Sequence, residues 1–287
     1  MITNPRLNIK QSLLAILLGI WITVSTVITY DQPEPFDHMY SQYENLLRAY
    51  VVGTKVNYTS LKYNRTQLDA VVDSFGGISA AEFKDWSTEK QIAYWINAYN
   101  VFTLQAIVDN YPIQSSWLNW FKFIPRNSIK QISGVWNELK WLAAGSEITL
   151  DEIEHDKLRK IYKEPRIHFA INCASISCPP LNRKPYVAER LNQQLSNAVK
   201  LFLASELGLR IEGTRLQVSS IFDWYGEDFI DEYAHLIDLS RSAKERAILG
   251  VVAEHGPQKA SKLARDRNAN VRFLRYNWSL NETEMKP

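Results

Sequence analysis

The segment that most constrains the fold is residues 88–108 (TEKQIAYWINAYNVFTLQAIV). Apolar side chains occur almost all round this segment, which is typical of a helix that is buried on every side. Thr88 is followed three positions later by Gln91, as in a capping box, and Pro112 lies just beyond the end of the segment. We therefore predict a helix at the centre of the core.

Helical patterns dominate the rest of the chain, and only short runs favour strands. The main predicted helices are 67–75, 151–162 and 189–207, and the main predicted strands are 166–172, 209–213, 215–219 and 271–276. The pattern predicts an α+β fold, with a mostly helical single domain around a small antiparallel sheet.

The N-terminus has the layout of an export signal. Arg6 and Lys10 precede residues 12–30, which carry no charge and are close to the ~20 residues that a membrane-spanning helix needs. Residues 1–30 are therefore predicted to be a cleaved signal peptide or a retained membrane anchor, and 31–35 a linker. The predicted globular domain, 36–287, would then be periplasmic or extracellular.

Composition excludes several classes of protein. Lys and Arg total 33 and Asp and Glu total 31, so the net charge is +2 and no basic stripe indicates a nucleic-acid partner. The chain has two cysteines, which excludes a disulfide-dense scaffold. No cofactor is predicted, and no metal site, because the Cys-x4-Cys spacing has no histidine pattern to complete it.

The loop after the predicted strand 166–172 carries both cysteines. A thiolate of Cys173 or Cys178 with His168 as its base would make a nucleophile–base pair. On a straight strand His168 and Cys173 project to opposite sides, so this pairing requires the loop to fold back. Two structural alternatives remain: a small disulfide ring, or two thiols buried as apolar fillers.

A second candidate group lies in the predicted helix 151–162. Glu154 falls within its apolar stripe and His155 borders that stripe. A half-buried carboxylate there could form a structural ion pair with Arg166, or it could act as an acid, a base or an orienting group in a cleft.

Two asparagines on the predicted central helix form the third group. Burying the amides of Asn97 and Asn100 without partners would cost about 1–3 kcal/mol each. Each should therefore hold either a loop backbone or a ligand, and Asn97 is also a candidate to orient a catalytic histidine.

Five motifs together resemble the "domain of unknown function 547" family. They are 94–100 (YWINAYN), 148–155 (ITLDEIEH), 167–181 (IHFAINCASISCPPL), 218–225 (VSSIFDWY) followed by Asp228, and 276–281 (YNWSLN). One position departs from the family pattern, because Asn277 stands where the family usually has Asp. The resemblance implies the fold unit and the place of the site, and its architecture looks similar to that of papain or transglutaminase.

Two functions follow from these observations. The first is a binding or scaffolding module whose pocket takes a small-molecule or peptide ligand, with rings such as Trp117, Trp120, Trp136 and Trp141 lining a groove or filling the core. The alternative is a cysteine-dependent hydrolase or acyltransferase, with the candidate catalytic residues Cys173, Cys178, His168, His155, Glu154 and Asn97. A thiol within about 4 Å of an imidazole would favour the enzyme.

Overall fold

The central helix predicted from the sequence is present and is almost entirely buried. In the computed structural model it is α5, which runs Thr88–Asn110 with nearly every residue from Ile92 to Val108 inside the core. The capping residue lies one position earlier than predicted, because Ser87, not Thr88, has extended backbone and accepts the Lys90 N–H with its side chain.

The structure describes residues 35–114, 124–237 and 240–283. The predicted signal or anchor (1–30), most of the predicted linker, and Trp117 and Trp120 lie outside the described residues. Within them, no helix is long and apolar enough to cross a membrane.

Helices and two small hairpins surround α5 in the first half of the described chain. They are α1 (Ser41–Tyr50), β1 (Val51–Val52), β2 (Lys55–Val56), α2 (Tyr58–Tyr63), α3 (Arg65–Gly76), α4 (Ala80–Lys84), β3 (Trp141–Ala143) and β4 (Ser146–Ile148). The strands pair as two antiparallel ribbons, β1 with β2 and β3 with β4. Gly145, with φ of 76°, turns the second ribbon.

The second half adds five helices and a three-stranded sheet. The helices are α6 (Leu191–Leu203), α7 (Ile221–Tyr225), α8 (Ile230–Tyr233), α9 (Ala243–His255) and α10 (Gln258–Ala264), and the strands are β5 (Leu209–Glu212), β6 (Arg215–Val218) and β7 (Asn270–Phe273). β5 and β6 form the predicted antiparallel hairpin, whereas β7 runs parallel to β6. The mostly helical α+β class is confirmed.

Two segments, 152–161 and 166–172, differ in conformation from the predicted elements. Residues 166–172 are not a strand, because Pro165 opens a 3₁₀ helix, Pro165–Phe169, and the Glu164 side chain caps it by accepting the Arg166 N–H. The predicted helix after Leu150 does begin at the capping box of Thr149 and Glu152, but Glu152–Ile161 is a π-helix.

The buried side chains form two clusters. The first contains α5 and most apolar residues from Tyr40 to Leu195, and the second contains Phe169 and most apolar residues from Val199 to Ala269. The 3₁₀ helix Pro165–Phe169 joins them, since Ile167 packs in the first cluster and Phe169 in the second.

Both asparagines of α5 hold loop backbone. The Asn97 amide donates to the Tyr186 carbonyl at 2.8 Å and accepts the Tyr186 N–H at 3.0 Å. The Asn100 amide holds residues 170–179, which carry both cysteines and are called the Cys loop below. It donates to Ala170 O at 3.0 Å and accepts the Asn172 N–H at 2.8 Å. Each amide side chain thus provides the hydrogen-bond partners of two buried backbone groups in a loop outside α5.

The Asn97→Ala variant is expected to lose about 2–4 kcal/mol of unfolding free energy, because the N–H and the carbonyl of Tyr186 would both be left unpaired inside the core. Urea unfolding followed by tryptophan fluorescence measures this loss. The matched control is Asn110→Ala, since the Asn110 side chain donates only to Ala106 O within its own helix. Equal stability of the two variants would contradict the bracing role of Asn97.

Candidate functional site

A cavity of about 420 Å³ lies beside the Cys loop. Residues of both apolar clusters line it, together with several titratable groups. Its lining comprises Tyr99, Lys130, Trp136, Asp151, Glu154, His155, His168, Ile171, Cys173, Cys178, Ile221, Trp224, Tyr225, Tyr276 and Trp278. Every one of the five motifs that carry the family resemblance therefore contributes to this single cavity.

The Cys loop is held in place by the side chain of Asn172. Its amide oxygen accepts the Ala174 N–H at 2.9 Å, and its amide nitrogen donates to Pro179 O at 2.7 Å. Ala174 adopts a left-handed backbone with φ of 57°, which a non-glycine residue rarely does without such support. The loop thus folds back on itself and carries Cys173 to the cavity wall.

The Cys173 thiol is partly exposed and surrounded by hydrogen-bond donors. Its Sγ lies 2.9 Å from Cys178 Sγ, 3.3 Å from Ser175 Oγ and 3.2 Å from the Tyr276 hydroxyl. Hydrogen bonding with the Cys178 side chain, aided by the two hydroxyls and opposed by burial, lowers the pKa of Cys173 to about 7. The thiolate fraction of Cys173 near neutral pH is therefore higher than that of an ordinary cysteine.

The Cys178 thiol has the opposite character. It is buried, and burial together with the neighbouring sulfur raises its pKa well above the usual value. Both cysteines are free. Neither is an isolated apolar filler, since each sulfur hydrogen-bonds to the other, and the backbone N–H of Cys173 points to Cys178 Sγ at 3.0 Å.

His168 is buried and fixed by a carboxylate. Its Nε2 lies 2.7 Å from Asp228 Oδ2, and its ring stacks on Tyr225 with the centroids 4.1 Å apart. If Nε2 carries the proton shared with Asp228, Nδ1 is the nitrogen that can accept one. The pair has the relation of a general base to its orienting group.

Arg159 completes this polar cluster. Its guanidinium binds Asp228 with two hydrogen bonds, Nε to Oδ2 at 2.6 Å and Nη2 to Oδ1 at 2.9 Å. Partial burial by itself would raise the pKa of Asp228, but the bonds from His168 and Arg159 outweigh it and hold that pKa well below its usual range. Arg159 Nη1 also donates to His155 Nδ1 at 2.8 Å, so a neutral His155 carries its proton on Nε2.

Glu154 is buried and accepts a hydrogen bond from the Tyr99 hydroxyl at 3.2 Å. The predicted ion pair with Arg166 is wrong, because Arg166 binds Glu164 instead, with Nη2 to Oε2 at 2.6 Å. The carboxylate of Glu154 therefore faces the cavity. Burial of Tyr99 and the charge of Glu154 together raise the pKa of Tyr99 well above its usual value.

Aromatic rings form another part of the cavity wall. Trp278 stacks on Trp224 with the centroids 5.7 Å apart and packs on Tyr276 at 4.6 Å, while Lys130 Nζ lies 3.9 Å from its ring centroid. Trp136 also lines the cavity, as predicted for a groove. Trp141 does not, because it packs on Phe102 in the core.

The structure brings together all the predicted site residues except Asn97. Cys173, Cys178, His168, His155 and Glu154 line the cavity, whereas Asn97 braces the backbone of Tyr186 and is not part of the lining. In the part of the chain that the structure describes, no hydrogen bond joins either thiol to an imidazole. Nor do three or more His, Cys, Asp or Glu side chains there gather in a way that could hold a metal ion.

Several residues of the site were not predicted. Tyr276, Trp224 and Trp278 line the cavity, and Asp228 binds the lining residue His168. All four sit in or beside motifs that carry the family resemblance, and that position was the only sequence signal for them. Asn277, which stands where the family usually has Asp, makes no hydrogen bond to a histidine among the described residues. Asn277 Oδ1 accepts the Ser279 N–H at 2.9 Å, a turn role that an Asp would fill equally well.

The fold and the cavity define a mostly helical α+β domain with a partly exposed thiol in the wall of a cavity. The family model described as a protein of unknown function, DUF547, matches residues 83–203, a span that contains three of the five motifs, and so supports the family resemblance. No curated protein and no solved structure gives a significant match. The likeness to papain or transglutaminase stays a hypothesis.

The alkylation rate of Cys173 by iodoacetamide is expected to rise through a midpoint near pH 7, because only the thiolate reacts. The Tyr276→Phe variant removes one hydrogen bond to the thiolate and should move the midpoint upward. If the pKa of Cys173 returned completely to the usual ~8.5, the thiolate fraction at pH 7 would fall by roughly tenfold or more. Peptide mapping of the alkylated protein assigns the signal to Cys173.

Tyr50→Phe serves as the control for that experiment, since the Tyr50 hydroxyl bonds to Gln67 and does not line the cavity. Its midpoint should equal that of the unchanged protein. A midpoint near 8.5 in the unchanged protein would refute the hydrogen-bonded thiolate.

Proposed function

We propose that this protein is an exported or membrane-anchored binding module whose cavity takes a small organic molecule or a short peptide, with Cys173 as the reactive group of the pocket. The observation that carries the proposal is the convergence of all five motifs on one cavity of about 420 Å³. Ligand pockets typically have volumes of about 300–1,000 Å³, and they combine apolar walls with a few convergent polar groups.

The walls of the cavity suit a ligand that has both a flat apolar part and a polar part. Trp224 and Trp278 present ring faces, and stacking on such rings is worth about 0.5–1.5 kcal/mol beyond the area buried. Glu154 and Asp151 offer acceptors, and Lys130 offers a donor, on the same lining. This mixture of groups favours orientation of a ligand as well as its burial.

Export is supported by the basic residues Arg6 and Lys10 ahead of the uncharged residues 12–30. Fractionation of cells that express the full chain tests this part of the proposal. Recovery of all of the protein in the cytoplasmic fraction would contradict it.

Pocket-directed alkylation tests ligand binding. With N-phenylchloroacetamide, whose ring can stack in the cavity, labelling of Cys173 should be faster than with chloroacetamide and should saturate with probe concentration. The Trp224→Ala variant should lose this preference, because a main stacking surface is gone. Trp224 is 46% exposed, so the variant is expected to fold.

Leu201→Ala is the matched control, since Leu201 is 73% exposed and does not line the cavity. It should keep both the saturation and the preference for the aromatic probe. Linear, non-saturating labelling of the unchanged protein by both probes would refute a binding pocket at Cys173.

A second candidate, a cysteine-dependent hydrolase or acyltransferase, is favoured by one specific observation. His168, which Asp228 holds by a hydrogen bond, and the Cys173 thiol line the same cavity, as a base with its orienting group and a nucleophile would. The absence of a thiol–imidazole hydrogen bond among the described residues weighs against it, although such bonds often tighten only when a substrate is bound.

Turnover of p-nitrophenyl acetate separates the two candidates. An acyl-transfer enzyme should release many equivalents of nitrophenol, and His168→Gln should lower that rate by about 10²–10⁴-fold, the usual contribution of a general base. A binding module with a reactive thiol should stop after one equivalent, and His168→Gln should leave that single step nearly unchanged.

A further inference from the structure

The two thiols of the cavity are close enough to react with each other. Cys173 Sγ and Cys178 Sγ are 2.9 Å apart and free, whereas a disulfide bond measures about 2.05 Å. A shift of less than about 1 Å would therefore bring the two sulfurs to disulfide distance once an oxidant takes up the two electrons. They are also the only cysteines in the chain, so no other thiol competes for either one.

The surroundings give the two sulfurs unequal roles. Cys173 is partly exposed on the cavity wall, and the hydroxyl oxygens of Ser175 and Tyr276 lie 3.3 and 3.2 Å from its sulfur. Cys178 is only 6% exposed and lies behind it. A ligand in the cavity can therefore reach the first sulfur directly, while the second is placed to attack the first sulfur once a ligand sulfur is bonded to it.

We propose that Cys173 and Cys178 are the attacking and resolving thiols of a thiol–disulfide exchange with a low-molecular-weight disulfide bound in the cavity. This inference rests on the proposed ligand pocket and names its substrate class. The volume of about 420 Å³ admits a small disulfide, but it does not admit a folded protein domain.

The exchange balances in two steps. The Cys173 thiolate attacks one sulfur of the ligand R–S–S–R, forms a mixed disulfide, and expels R–S⁻, which takes up a proton. Cys178 then loses its proton and attacks Cys173 Sγ, which expels the second R–S⁻ as it too is protonated. The protein dithiol is oxidised by two electrons, and the ligand disulfide is reduced to two thiols.

The hydrogen bonds around the pair support both steps. The Ser175 hydroxyl donates to the Tyr276 hydroxyl at 2.9 Å, which leaves the Tyr276 proton free to stabilise the first thiolate, 3.2 Å away at Cys173 Sγ. The backbone N–H of Cys173 points at Cys178 Sγ and can stabilise negative charge on the second sulfur as it forms.

Glutathione disulfide is the probe for this reaction. The reduced full-length protein is mixed with it, quenched in acid and weighed by intact mass spectrometry. The unchanged protein should lose the mass of two hydrogens, carry almost no glutathione, and release two glutathione molecules per chain. Cys178→Ser should instead accumulate a near-stoichiometric glutathione adduct on Cys173 and release one.

Cys173→Ser is the companion variant and should form neither product at a comparable rate. Near-ultraviolet circular dichroism checks that both variants are folded. Should Cys178→Ser fail to fold, a non-reducing digest of the unchanged protein decides the matter, since it must yield the peptide that contains a Cys173–Cys178 disulfide.

Accumulation of the glutathione adduct on the unchanged protein, to the same extent as on Cys178→Ser, would overturn the resolving role. An unreactive Cys173 in the folded protein would overturn the exchange as a whole. Labelling of Cys173 by N-phenylchloroacetamide is measured on the same preparation. Saturable labelling supports the ligand pocket even if the exchange fails, whereas non-saturable labelling contradicts the pocket itself.

Discussion

The site depends on a relay of amide side chains that begins in the core. Asn100 on α5 holds Ala170 and Asn172 by their backbones, and Asn172 in turn holds Ala174 and Pro179. Because α5 is packed on nearly all sides, it cannot shift without disturbing the first apolar cluster. The position of the Cys loop is therefore fixed from the most rigid element of the fold outward.

The charged cluster behind the cavity illustrates how burial and pairing compete. His168 is almost fully buried, and it is stable there because its Nε2 hydrogen-bonds to Asp228 and Arg159 holds Asp228 by two further hydrogen bonds. Removal of any one of these partners would leave the others with unsatisfied charge in a partly dry environment, which is costly. The three groups are best regarded as one unit.

The sequence predicted the parts of this structure that depend on local rules. The central helix, the β5–β6 hairpin and the bracing asparagines all follow from patterns within a few residues. The family motifs, together with the chemistry of the residue types, led to the place of the site, because they selected nearly all the titratable groups that now line the cavity.

What the sequence did not predict depends on contacts between distant segments or on rare backbone forms. Alternating apolar residues at 166–172 predicted a strand, but Pro165 and the Glu164 cap produce a 3₁₀ helix with both of its sides buried between two clusters. No local pattern pairs His168 with Asp228, or Glu154 with Tyr99. The π-helix also carries three of the polar groups near the cavity, namely Glu154, His155 and Arg159. If its hydrogen bonds shortened to the α-helical spacing, those three side chains would rotate away from their partners together, so the charge of the pocket depends on the winding of this one short segment.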